Sequence, residues 1–154
     1  MSRQNTLLIT GAGRGFGLAL TQAFLDGGWF VYGTVRKHED AQTLAALGEN
    51  CRPIIVDVTA DEAGAVITKT LEDGPGLDVL INNAGLGGSG TCLAETDIGQ
   101  VSALLEVHCL GALRVSQAAA PFLRPGGQII NISSRFGSTA KNSSEEFDEM
   151  AISY

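Results

Sequence analysis

Cysteine is scarce in this chain, with only Cys51, Cys92 and Cys109, and none stands in a C-x-x-C pair. An odd, widely spaced set of this kind builds neither a disulfide framework nor a zinc site, so no metal is expected, and a reducing, cytoplasmic setting is. Positive charge is also short. Ten lysines and arginines against 17 aspartates and glutamates leave a net charge of −7, which excludes a nucleic-acid or anionic-membrane partner, since either calls for a basic stripe. No run reaches the ~18 apolar residues of a membrane span, and Met1 to Asn5 carry no long apolar region before the first strand. A soluble, untargeted chain is therefore expected. The common dinucleotide fingerprint G-x-G-x-x-G is missing too, because Phe16 stands where its last glycine would.

What is present instead is an apolar run, Leu7 to Ile9, passing into Thr10 and glycines at 11, 13, 15 and 17 before a helical pattern begins. This reads as a strand, a tight turn and a helix start. Glycine is needed where the backbone takes positive φ or approaches a ligand with no Cβ between, and the N–H groups opening the helix attract phosphate. The spacing is T-G-x-x-x-G-x-G, set by Thr10, Gly11, Gly15 and Gly17, with Arg14 and Phe16 among the glycines.

With 154 residues, 44% of them hydrophobic and 20 of them glycine, the chain is one α/β domain's worth, rich in turns. Apolar helical spacing from Leu18 to Leu25 stops at Asp26-Gly27-Gly28. Trp29 to Val35 is a nearly continuous apolar run, as in a parallel strand covered on both faces. Residues 36–40 read as a polar turn and 41–47 as a short helix. Strand three runs from Arg52 to Asp57, and Thr59 and Glu62 form a capping box for a helix through about Leu71. Strand four is Leu77 to Ile81. Thr96 is placed to cap a long helix to about Phe122, whose apolar residues spread around it and imply burial on more than one side. Pro125-Gly126-Gly127 precedes strand five, Gln128 to Ser133, and residues 135–153 are polar and without period. Strands separated by helices predict a doubly wound parallel sheet of order 3-2-1-4-5, with ligands at the carboxyl ends of its strands beside the switch point.

The glycine turn and Asn82-Asn83-Ala84-Gly85, directly after strand four, together resemble the short-chain dehydrogenase/reductase family. The resemblance implies a Rossmann fold in which Asn83, Ala84 and Gly85 line a nucleotide cofactor. Asp57-Val58, closing strand three, is similar to the family's adenine contact, although the Asp side chain would also suit a cap for the next helix. An NAD-preferring chain needs a carboxylate at the end of strand two, roughly 20 residues past the glycines. Val35 stands there, followed by Arg36. With Arg14 inside the glycine loop, two guanidinium groups can converge on a 2′-phosphate, so NADP is expected as cofactor.

Ser134 aligns with the family's catalytic Ser, which donates a hydrogen bond to the substrate oxygen. The family Tyr, which exchanges a proton with that oxygen, lies in Y-x-x-x-K. Here the only downstream Tyr is Tyr154, twenty positions on and the last residue, which leaves no place for the Lys. An insertion between Ser134 and Tyr154 is implied. So is a fragment of roughly the first three-fifths of a family member, on length, lacking the C-terminal strands. His108 replaces the family Asn that helps hold a water, and it is either a water-holding group or a packed helical His. The resulting expectation is an NADP-dependent oxidoreductase interconverting a carbonyl and an alcohol in a small-molecule substrate, homo-oligomeric when complete. A catalytically silent NADP-binding module or a truncated remnant is the alternative. As strand five would be left as an apolar edge, the 154-residue chain is expected to be marginal or self-associating.

Overall fold

The computed structural model describes residues 3–87 and 96–134. Five strands, β1 (Thr6–Ile9), β2 (Phe30–Val35), β3 (Cys51–Ile55), β4 (Leu77–Asn82) and β5 (Leu123–Asn131), form one parallel sheet in the order β3-β2-β1-β4-β5. The switch point lies between β1 and β4, as the alternation of strands and helices predicts.

Successive side chains on a strand point to opposite faces, and β1 shows what this accomplishes. Leu8 enters one core cluster with Leu80, Ile67, Val115 and Ala119, while Leu7 and Ile9 enter another with Val31, Leu44 and Ile81. All three β1 residues are fully buried. The first cluster lies under α3 (Ala63–Leu71) and α5 (Ala112–Ala119), and the second under α1 (Gly15–Asp26) and α2 (His38–Ala45). Helices on both faces explain the near-continuous apolar runs of the central strands.

Several boundaries differ from the sequence expectation. The residues read as a polar turn before the second helix include its first turn, because α2 starts at His38, and Glu39 and Asp40 sit there favourably against the helix dipole. The Thr59–Glu62 capping box does not form: the Thr59 hydroxyl donates back to Asp57 Oδ1 at 2.7 Å, and α3 opens at Ala63. Asp97, not Thr96, caps α4 (Ile98–Leu105), accepting from the Gly99 N–H at 3.0 Å. β5 begins pairing at Leu123, loops out and resumes at Gln128 opposite Val79, with Gly126 at φ +83° in the excursion.

The long helix is composite. Between α4 and α5 lies a π-helical turn, Glu106–Gly111, and after α5 a 3₁₀ turn, Ala120–Phe122. Burial on several sides is not what its scattered apolar residues achieve. Leu104, Val115 and Ala119 are buried, whereas Leu105, Leu110 and Leu113 are exposed. The stretch Ile98–Phe122 has the length and composition of a membrane-crossing helix, but it contains the Glu106–Arg114 ion pair and packs on the sheet through Val115 and Ala119.

Candidate functional site

The carboxyl ends of β1, β2, β3 and β4 open into a cavity of about 550 Å³, a size typical of small-molecule pockets, roughly 300–1,000 Å³. Its floor is the glycine turn. Gly11 has φ +69° and Gly15 φ +53°, the left-handed region that favours glycine. Gly17 is required for a different reason: a Cβ there would stand 2.2 Å from the Gly11 carbonyl oxygen, so the close approach of α1 to the turn leaves no room for one.

The turn is held from strands distant in sequence. Thr10, 2% exposed beneath the cavity, accepts through Oγ1 from the N–H groups of Asn83 (3.0 Å) and Ala84 (2.9 Å). Asn83 returns the contact, its Nδ2 donating to the carbonyls of Thr10 (2.9 Å) and Gly11 (3.2 Å). On the other flank the Gly11 N–H donates to Thr34 Oγ1 at 3.1 Å. Asn82 Nδ2 donates to Ser116 Oγ and Asn131 Oδ1, joining β4 to α5 and β5.

Of the residues expected at a nucleotide, Gly11, Arg14, Gly15, Phe16 and Gly17 line the cavity from the turn, Arg36, Asp57 and Val58 from the ends of β2 and β3, and Asn83, Ala84 and Gly85 from the end of β4. Thr10 supports them from below. Arg14 precedes α1 without a side-chain cap bond, so the helix's opening N–H groups face a site with guanidinium groups nearby. That donor set fits a phosphate-bearing nucleotide. Lys37 and Asp40, Thr34, Leu86 and Val107 also line the cavity, and no sequence motif points to them. Lys37, directly after Arg36, was the legible one among them, as a third cation at the same strand end.

Arg36 lies 3.9 Å from Asp57 Oδ2, both side chains well exposed, a pairing worth little in solvent, about 0–1 kcal/mol. Partial burial would raise the Asp57 carboxyl, but the Thr59 N–H and hydroxyl and the Arg36 guanidinium outweigh it and hold the group below its ordinary value. The Asp therefore makes a local turn rather than a cap on α3.

The residues expected to do chemistry are less gathered. His108 sits in the π-helical turn outside the cavity lining, with Nε2 3.0 Å from the Leu86 carbonyl and 3.2 Å from its N–H. A single ring nitrogen serves one of these at a time, according to tautomer. Ser134 is half-buried just past the carboxyl end of β5, and Tyr154 lies outside the described residues. Among the described residues no group of three His, Cys, Asp or Glu side chains is arranged to hold a metal.

A family model described as short chain dehydrogenase matches residues 5–145. The serine 3-dehydrogenase of Agrobacterium fabrum is 34% identical over 132 residues, covering 84% of this chain and 53% of that protein. A carbonyl reductase from Pseudomonas aeruginosa solved in complex with NADP superposes with a TM-score of 0.82 at 31% identity, over 92% of this chain and 66% of that one. The L-sorbose reductase of Gluconobacter frateurii, solved with NADPH and L-sorbose, gives a TM-score of 0.77 at 27% identity, over 86% of this chain and 53% of that one. The chain thus spans about half the length of the curated relatives it matches.

Proposed function

We propose, from the premise that this chain belongs to the short-chain dehydrogenase family, that it is the nucleotide-binding part of an NADP-dependent oxidoreductase interconverting a carbonyl and an alcohol. The observation that carries the cofactor reading is the uncapped start of α1 opening beside Arg14, Arg36 and Lys37 on one cavity. Arg36 is committed only to a loose pair with Asp57, so turning it to a 2′-phosphate sacrifices little. The NADP and NADPH in the two solved relatives support the same choice.

When bound, the nicotinamide supplies or accepts a hydride. The chain's own share is to hold and to move protons. The glycine turn and the α1 N–H groups receive the pyrophosphate, Asp57 and Val58 border the adenine, and Asn83 keeps the turn in shape. Ser134 donates a hydrogen bond to the substrate oxygen, and Tyr154 exchanges a proton with it. His108 serves this site by tethering Leu86 at the cavity wall. Cys51 and Cys109 are free thiols, in keeping with a reducing cytoplasm. Ile98, Leu105 and Leu113, exposed along one composite helix, support a homo-oligomer.

Titrating the protein with NADPH and NADH tests the reading. NADPH is expected to bind more tightly, and Arg36→Ala to weaken NADPH about tenfold, the worth of one charge-assisted hydrogen bond, while leaving NADH unchanged. Equal affinity for the two cofactors in the wild type would overturn the NADP assignment. NADPH binding without turnover of any carbonyl would favour a silent binding module.

A further inference from the structure

We infer that Arg114, on the helix behind the sheet, is a positioning residue for the adenine-side wall of the cavity, fixing Val58 there in partnership with Glu106; the inference rests on the NADP reading above. Arg114 does not line the cavity. Its guanidinium donates to the Val58 carbonyl at 2.8 Å and to Glu106 Oε1 at 3.0 Å. Val58 is a wall residue, and its carbonyl is the kind of acceptor that a charged, planar donor fixes in direction as well as distance.

The π-helical turn makes this contact possible. Glu106 and Arg114 are eight residues apart, which in a continuous α-helix places them about 80° apart around the axis and about 12 Å apart along it. A turn closed by i→i+5 bonds packs more residues into each revolution. It lowers both the angular offset and the rise, and brings the carboxylate to the guanidinium. Gly111 closes the same joint, since a Cβ there would stand 2.9 Å from Val58 Cγ2 and 3.1 Å from the Glu106 carbonyl oxygen. From the other side, Asp57 Oδ1 accepts from the Thr59 N–H at 3.0 Å and the Thr59 hydroxyl at 2.7 Å. Residues 57–59 are thus pinned by their own turn and by Arg114, and the helix shape is transmitted to the nucleotide wall through one carbonyl.

The test uses two halves of the cofactor as probes, adenosine 2′,5′-bisphosphate and nicotinamide mononucleotide, each titrated by ligand-observed NMR against the wild type, Arg114→Met, Arg114→Lys and Glu106→Gln. Arg114→Met is expected to weaken the adenosine bisphosphate about tenfold and to leave the mononucleotide unchanged. Arg114→Lys, which keeps a charged donor, is expected to recover most of the loss. Glu106→Gln leaves the guanidinium in place but loosens it, with an expected loss of about threefold; this variant carries the test if Arg114→Met does not fold. Equal weakening of both probes would mean that the arginine only holds the fold together, and unchanged affinity would mean that it does not set the wall. Either outcome overturns the inference. A wild type that binds neither probe instead removes the cofactor reading, and this inference with it.

Discussion

Gly15 and Gly17 stand two positions apart in the same turn, yet a methyl group added to each meets a different obstacle. At Gly17 it would press on the Gly11 carbonyl oxygen and on Asn83 Nδ2, 2.2 and 2.5 Å away, so the turn must open. At Gly15 it meets nothing within 4 Å, and the penalty is conformational, from φ +53°. Gly17→Ala is expected to lose about 2–3 kcal/mol of stability along with NADPH binding, and Gly15→Ala about 1 kcal/mol; urea unfolding of the two variants checks the order. Asp57 adds a pH dependence. Because its carboxyl is held below its ordinary value when folded, protons bind the unfolded chain more readily. The stability that its ionised form adds is complete above about pH 4 and is lost as the pH falls through the lower folded value. Urea titrations of wild type and Asp57→Asn are therefore expected to diverge near neutrality and converge in acid. An unchanged gap across that range would exclude the Asp57 contribution.

At the scale of elements, strands and their order were legible because burial on both faces leaves unbroken apolar runs, and residues such as Val31 and Leu80 have no polar alternation to confuse them. The glycine turn and Asn83 were legible because their residue types answer to backbone demands. The π-helical turn was not. On a continuous α-helix Leu110 and Leu113 already stand about 120° and 180° from Leu104, so the scattered pattern passes for broad burial and nothing in it marks a wider turn. The first turn of α2 was hidden for the opposite reason, since Glu39 and Asp40 look like loop residues until a helix dipole is there to favour them. The amino ends of the strands hold a clamp that sequence did not announce. Asp78 of β4 accepts from the Thr6 N–H at 2.8 Å, from Arg3 at 2.6 Å and from Arg124 of β5, which also donates to the Pro75 carbonyl. Asp78→Ala is expected to cost about 2–4 kcal/mol, chiefly by stranding Arg124, whose side chain is 12% exposed. Chemical denaturation measures it, and a loss below about 1 kcal/mol would assign the clamp to the solvated class of ion pairs.

For the molecule as a whole, β5 pairs with β4 and with no other described strand, and Ile129, Ile130 and Ile132 are each about 40% exposed. An apolar strand with an open hydrogen-bonding edge is a template for association. The 154-residue chain is expected to show concentration-dependent self-association in sedimentation velocity, and Ile130→Lys to reduce it. A monodisperse monomer at high concentration would show that this edge is inert.

The Thr10 hydroxyl receives the N–H groups of Asn83 and Ala84, and this ties the glycine turn to a part of the chain made more than seventy residues later. On the ribosome Thr10 and its glycines emerge well before β4, with β2 soon behind them. Their anchor is still unmade, and parallel pairings between distant segments form slowly. The nascent chain cannot set its nucleotide turn until the Asn-Asn-Ala-Gly segment has left the ribosome and β4 has docked beside β1. A dinucleotide present during synthesis would therefore meet a chain that captures it only after β4 is in place.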